Sequence, residues 1–239
     1  MKKLLFFILL FQLSTLCQAQ LNLGLRLNWN MNTFTIDNPD PNINFFKLGF
    51  GDAHLFSFGG GIVIYQKLNK HFSLQSELIY NPVNAGLGKV EYYTDPHGDI
   101  YSAVNDFQIQ LHYLEIPLLA KISFGNKVTF DVLGGMYVDY LLLAKQSTSD
   151  GKLNVVDYNS QTFEEKQINY PKQNVRQDYT SFNGGLSAGF SISVNNRMTF
   201  EFRLNKGMVN INKTGSAKMY TLQGQFGVGW YMFRYKKKK

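Results

Sequence analysis

Residues 113–124 read YLEIPLLAKISF, Tyr113 to Phe124. The stretch is apolar enough for a buried element, yet it contains Glu115, Pro117 and Lys121. A soluble core would have to desolvate both charges. Period-two reading separates them instead: Leu114, Ile116, Leu118, Ala120 and Ile122 form one row, and Tyr113, Glu115, Leu119 and Lys121 the other. That is a strand with one face in an apolar medium and one face in a polar interior. Glu115 and Lys121 share a face but lie about 20 Å apart at strand rise, so their partners must come from neighbouring strands. Pro117 lacks a ladder donor, which predicts a bulge or a missing bond.

Working outward, the same alternation recurs. The apolar rows are Leu21 to Trp29, Phe58 to Ile64, Phe72 to Tyr80, Phe130 to Tyr140, Leu186 to Val194, Met198 to Leu204 and Leu222 to Met232. With the opening stretch this predicts eight strands, each near the 9–11 residues that cross a bilayer at a tilt. Tight turns are expected at Asn69-Lys70, Gly125-Asn126-Lys127 and Asn195-Asn196-Arg197. Long polar loops are expected over about 32–54, 82–106, 145–178 and 207–218. The predicted fold is all-β: an eight-stranded antiparallel up-and-down transmembrane β-barrel with short periplasmic turns and long extracellular loops.

Composition agrees. The chain begins MKKLLFFILLFQLSTLCQAQ, with a basic start, a short apolar run and a small residue, Ala19, before Gln20. This reads as a secretory signal over residues 1–19, leaving a barrel domain over 20–239. Cys17 is the only cysteine, so the exported chain has no disulfide and no cysteine metal site. Without Lys2 and Lys3, 22 of the 24 basic residues remain against 17 acidic ones. Four of them form the terminal run Lys236 to Lys239, suited to a solvated end or to anionic headgroups. No basic stripe interleaved with aromatics points to nucleic acid.

A barrel of eight strands is just wide enough to be filled by side chains. The inward row collects Arg26, Glu77, Glu115, Lys121, Asp131, Asp139, Glu201 and Arg203, which are expected to form a structural polar network inside a plugged barrel. Two pairings follow from the turns. Lys121 should face Asp131, and Ser191 should face Glu201. Trp230, Tyr231, Phe233 and Tyr235, with Phe72 and Phe124, suit an aromatic girdle at the inner interface.

YLEIPLLAKISFG, SLQSELIY and GGLSAGFSISVNNRMTFEFRLNKGMVNIN together resemble the PorT-like outer-membrane β-barrel domain family, most specifically at Tyr113, Glu115 and Pro117. The resemblance covers nearly the whole chain after the leader. It implies a small barrel in the cell outer membrane, and for the family's namesake a link to protein secretion. It supplies no catalytic residue to carry over.

Other motifs have plain readings. Gly185-Leu186-Ser187-Ala188-Gly189 matches a nucleophile elbow, but that motif needs a strand turning sharply into a helix, and here the alternation continues. Asp95, His97 and Asp99 are spaced as oxygen ligands can be, with no bidentate acid following, so a polar turn is the expectation. His54 and His97 lie among loop carboxylates, whereas His112 and Glu115 point to opposite faces. Phe45, Phe46, Tyr92, Tyr93, Tyr101, Tyr158, Phe163 and Tyr170 would suit a partner or glycan, or loops packing on one another. The expected function is a non-enzymatic, monomeric outer-membrane barrel with a structural or surface-binding role, without cofactor or metal. Outer-membrane lipid surrounds it, with an extracellular or secretion-machine protein as partner. The alternatives are a secretion accessory, a barrel enzyme acting on lipid or peptide, and a small pore.

Overall fold

The computed structural model describes residues 20–37, 55–87, 100–157, 162–168, 172–195, 197–214 and 218–235. The leader 1–19, His54, His97, Asp95, Asp99 and the terminal lysines lie outside these residues. So do Phe45, Phe46, Tyr92, Tyr93, Tyr158 and Tyr170, while Tyr101 and Phe163 fall on strands whose side chains are not described.

The described chain is β throughout, apart from one 3-10 turn at Arg176–Asp178. Its strands are β1 (Gln20–Asp37), β2 (Leu55–Lys67), β3 (Phe72–Leu87), β4 (Ile100–Gly125), β5 (Val128–Asp157), β6 (Thr162–Ile168), β7 (Gln173–Asn174), β8 (Phe182–Val194), β9 (Met198–Gly207) and β10 (Lys218–Tyr235). They form one antiparallel sheet in the order β4-β3-β2-β1-β10-β9-β8-β5-β6. β4 also pairs with β5 from Ile100↔Val156 to Gly125↔Thr129. The pairings therefore lead from β4 through eight long strands and back to β4.

Alternation places the side chains. On β1, Arg26, Asn28 and Asn30 are buried, and Leu25, Leu27 and Trp29 stand exposed between them. Leu27 is 72% exposed and Phe58 76%, in unbroken rows that also include Ile116, Leu118 and Ile122. Apolar strips of this length are tolerated only against another apolar phase. Leu118→Arg is therefore expected to destabilise the folded protein in lipid by about 2–4 kcal/mol. Urea unfolding of vesicle-refolded protein measures it.

The structure corrects several expectations. Segments 32–37, 82–87, 100–106 and 145–157 are strand, not loop, because neighbouring strands continue to pair with them past the apolar rows. β4 has 26 residues and β5 has 30, far more than a bilayer requires. At the Gly125 turn Phe124 faces Phe130, not Val128, so Lys121 faces Leu133 and Asp131 faces Ser123. The left-handed Gly125 (φ 103°) allows this closer hairpin. At the next turn Ser191 does face Glu201. The β3–β4 pairing omits Glu77 and Leu78 opposite Pro117 and Ile116, then resumes in the same register. Pro117 thus costs a local gap and no bulge. Tyr231 is buried, packing on Tyr65 at 5.5 Å between ring centres, so it leaves the girdle for the interior. Trp230, Phe72 and Phe124 are exposed, and the side chains of Phe233 and Tyr235 are not described.

Candidate functional site

Among the described residues the buried charged side chains are Arg26, Glu77, Glu115, Lys121, Asp131, Asp139, Glu201 and Arg203. They come from different strands because each sits on an inward position, and the sheet brings those positions together. Glu201 on β9 is the hub. Its carboxylate meets Arg26 at 2.7 Å, Lys121 at 2.5 Å and Arg203 at 3.0 Å. Glu77 on β3 meets the same two guanidinium groups, Arg203 Nη2 at 2.7 Å and Arg26 Nη1, which it shares with Glu201, at 3.3 Å. Lys121 also donates to Ser191 Oγ at 3.3 Å, and Ser191 donates to Asp131 at 2.8 Å. Ser193 gives Asp131 a second hydroxyl at 3.1 Å. Three cations and three carboxylates thus make one connected cluster. Gly227 makes room for it: a Cβ there would lie 2.2 Å from Arg26 Nη2.

Glu115 and Asp139 stand apart. They are directly opposed on β4 and β5. Glu115 is held by the amides of Asn81 and Gln225, the latter at 3.2 Å. Asp139 accepts from Asn183 Nδ2 at 3.0 Å. No ion pair among the described residues reaches either carboxylate.

Above this level the interior changes character. Phe34, Val83, Ile109, Leu111, Tyr113, Leu141, Ala144, Val175, Tyr179, Ile211 and Met219 form one apolar cluster. The segment after β7 and the segment after β9 cross the mouth to complete it. Val175 N–H donates to Ala144 O at 3.1 Å, Leu141 N–H to Ser181 O at 2.8 Å, and Thr180 N–H to Ile211 O at 2.9 Å. Burial pushes the Tyr179 phenol up to about 12, with Asp178 adding to the effect. An amide ladder of Asn30, Asn81, Gln223 and Asn32 fills the interior nearby, with Gln223 donating to Asn32 at 2.6 Å.

Sequence reasoning placed the charges on one face but missed the amides and the cap. The amides carried a signal: Gln75, Asn81, Gln223 and Gln225 occupy inward positions of strands that were already read. The cap carried little, because Val175 and Ile211 lie in segments that read as loop and Tyr179 lies just past one. On β5 the register skips Leu142, pairing Tyr113 with Leu141 and His112 with Leu143, so the inward row changes parity there.

Of the enzyme-like motifs, those at His54 and at Asp95, His97 and Asp99 lie outside the described residues, and the others have plain surroundings. Ser187 sits inside the continuous strand β8, buried and facing inward, with no turn into a helix. His112 lies against Tyr80, its Nδ1 2.5 Å from the phenol oxygen, and His71 Nδ1 lies 3.2 Å from Ser123 O. Among the described residues no three His, Cys, Asp or Glu side chains gather for a metal.

Residues 16–213 match the family described as the outer membrane protein beta-barrel domain. No curated protein matches the chain. Similar solved structures include Ail, the attachment invasion locus protein of Yersinia pestis, at 9% identity, covering 91% of this chain and 99% of that one, with a TM-score of 0.40. Neisserial surface protein A aligns at 12% identity over 88% and 97%, with a TM-score of 0.39. OprG of Pseudomonas aeruginosa aligns at 12% over 92% and 97%, with a TM-score of 0.37. The family match spans most of the chain and carries the assignment: the chain belongs to the outer membrane protein beta-barrel domain family and is a protein of the outer membrane.

Proposed function

We propose that this chain is a closed, sealed, monomeric transmembrane barrel that serves a structural or surface-binding role and not as an enzyme or a pore. The observation that carries the reading is the filled interior. Among the described residues an ion-paired cluster occupies one level and an apolar cap the next, which supports an interior without a continuous polar path. The eight inward charges act as a structural core in this reading. Residues 1–19 are the cleaved leader, tight turns face the periplasm, and long connections face outward. The extended β4–β5 hairpin, joined by β6, is the surface-presenting element, because it continues well past the apolar rows. The Tyr113, Glu115 and Pro117 motif favours the PorT-like branch of the family, whose namesake makes a secretion-machine partner the second reading.

Purified protein in a planar bilayer is expected to give no steady ion current, and a stable conductance would overturn the sealed interior. Orientation is tested by single cysteines, since Cys17 in the leader is the only native one. Lys213→Cys should react with an impermeant maleimide on intact cells. Lys127→Cys should react only after the outer membrane is opened. The reverse pattern refutes the assignment of turns and loops.

A further inference from the structure

One of the outward apolar rows has a gap. On β10 the row reads Leu222, Gly224, Phe226, Val228, Trp230 and Met232, and Gly224 alone in it lacks a side chain. Met31 on β1 and Leu204 on β9 face the glycine on either side. The gap opens a surface groove of about 220 Å³, walled by Trp29, Phe56, Phe202, Leu204, Leu222 and Phe226. From the Trp29–Phe226 pair to the Thr33–Leu222 pair it follows the strands for roughly 13 Å.

Neither the interior nor the backbone asks for this glycine. Its φ is not positive, and a Cβ on it would meet nothing nearer than Leu204 Cδ2 at 3.9 Å and Met31 O at 4.0 Å. Gly227 on the same strand differs, because a Cβ there would strike Arg26. Glycine weakens a strand interior and marks places where another group approaches closely.

The groove also has a charged end. Lys206 faces Leu222 across the β9–β10 pairing, and directly opposed residues hold their Cβ atoms about 4.5–5.5 Å apart. Its stem therefore starts at the groove wall. Lys206 shares the outward row of Phe202 and Leu204, is exposed, and has no ion pair among the described residues. Past it the outward positions turn polar at Thr33, Thr35 and Tyr220, and the next charges, Asp37 and Lys218, face each other. Lys206 is thus a surplus cation at the level where the apolar rows end.

We propose that this groove seats one acyl chain of a phosphate-bearing membrane lipid, with the phosphate of the same lipid on Lys206. The aromatic walls accept hydrocarbon, and the ammonium, carried to the interface on its flexible stem, favours an anionic head over a zwitterionic one. The seat requires only that the outward rows face lipid, and neither a sealed interior nor a particular orientation.

Trp29 lines the groove and reports on it. The chain has two tryptophans, so Trp230→Phe leaves Trp29 alone. The mature chain with that substitution is refolded in phosphatidylcholine vesicles holding the same small fraction of chain-brominated phosphatidic acid or chain-brominated phosphatidylcholine. Bromine on the chain quenches an indole it touches. The expected result is that the phosphatidic acid is about fivefold enriched at Trp29 over the phosphatidylcholine, the effect of one lysine on one anionic head. Lys206→Gln should abolish the preference. Gly224→Phe, which fills the groove from outside and keeps Lys206, should abolish it as well. A Trp29→Phe chain, with Trp230 alone, should be quenched by either lipid and so shows insertion. Equal quenching of Trp29 by the two lipids overturns the proposal, as does a preference that survives Lys206→Gln. A preference that survives Gly224→Phe would be general attraction to an anionic surface and overturns the seat. Trp29 shielded from both lipids while Trp230 is quenched would put a second copy of the chain over the groove instead. Failure of both tryptophans to be quenched would overturn the lipid-facing fold, and the seat with it.

Discussion

Glu201→Ala is expected to cost about 3–5 kcal/mol of folding free energy in lipid vesicles. The carboxylate serves three cations at 2.5 to 3.0 Å, and all four side chains are at most 2% exposed. Removing it leaves Arg26, Lys121 and Arg203 with Glu77 and the hydroxyl-bridged Asp131, so positive charge is stranded where water does not reach. The cost is that of the stranded cations more than the worth of the lost contacts. Adding Lys121→Met to the variant should recover part of the loss, because one unpaired cation disappears. Asp131→Asn should cost less, roughly 1–3 kcal/mol, since its direct partners are serine hydroxyls. Urea unfolding monitored by tryptophan fluorescence separates these values. A loss below about 1 kcal/mol for Glu201→Ala would mean that water solvates the cluster, and the sealed interior would fall with it.

The same physics explains what could be read from sequence alone. A strand in a bilayer keeps its period-two pattern for the whole crossing, because one face meets hydrocarbon and the other a packed interior. Leu114 to Phe124 therefore showed which side Glu115 and Lys121 occupy. Partner choice was harder. Turn length alone points Lys121 at Asp131, whereas a shift of one residue on each side of the Gly125 turn carries it to Leu133. Its actual partner, Glu201, lies on β9, on the far side of β5 and β8 in the pairing order. Local sequence has no access to that distance. The cap was invisible for a related reason. Val175, Tyr179 and Ile211 are isolated apolar residues in polar segments, and only the inward positions of Leu111 and Leu141 make them a core.

Two adjacent glycines on β5 should respond oppositely to added bulk. Neither Gly134 nor Gly135 has positive φ, so backbone freedom does not distinguish them. Space does. A Cβ on Gly134 would meet nothing nearer than Ser187 O at 3.8 Å, whereas one on Gly135 would lie 2.0 Å from Leu118 O and 2.9 Å from Leu119 Cα. The obstacle at Gly135 is backbone, which no rotamer change relieves. Gly135 faces Leu119 on β4, and all of the close atoms belong to that strand, so β4 would have to move away from β5. Gly135→Val is therefore expected to cost about 4 kcal/mol or more, read as loss of the folded, heat-modifiable gel band. Gly134→Ala is expected to stabilise by about 0.5–1 kcal/mol, because alanine loses less conformational freedom than glycine when a strand forms. Equal tolerance at both positions would show that β4 and β5 do not approach as closely as their pairing requires. The link that joins the two ends of the strand path would then be in question, and with it every contact across the interior.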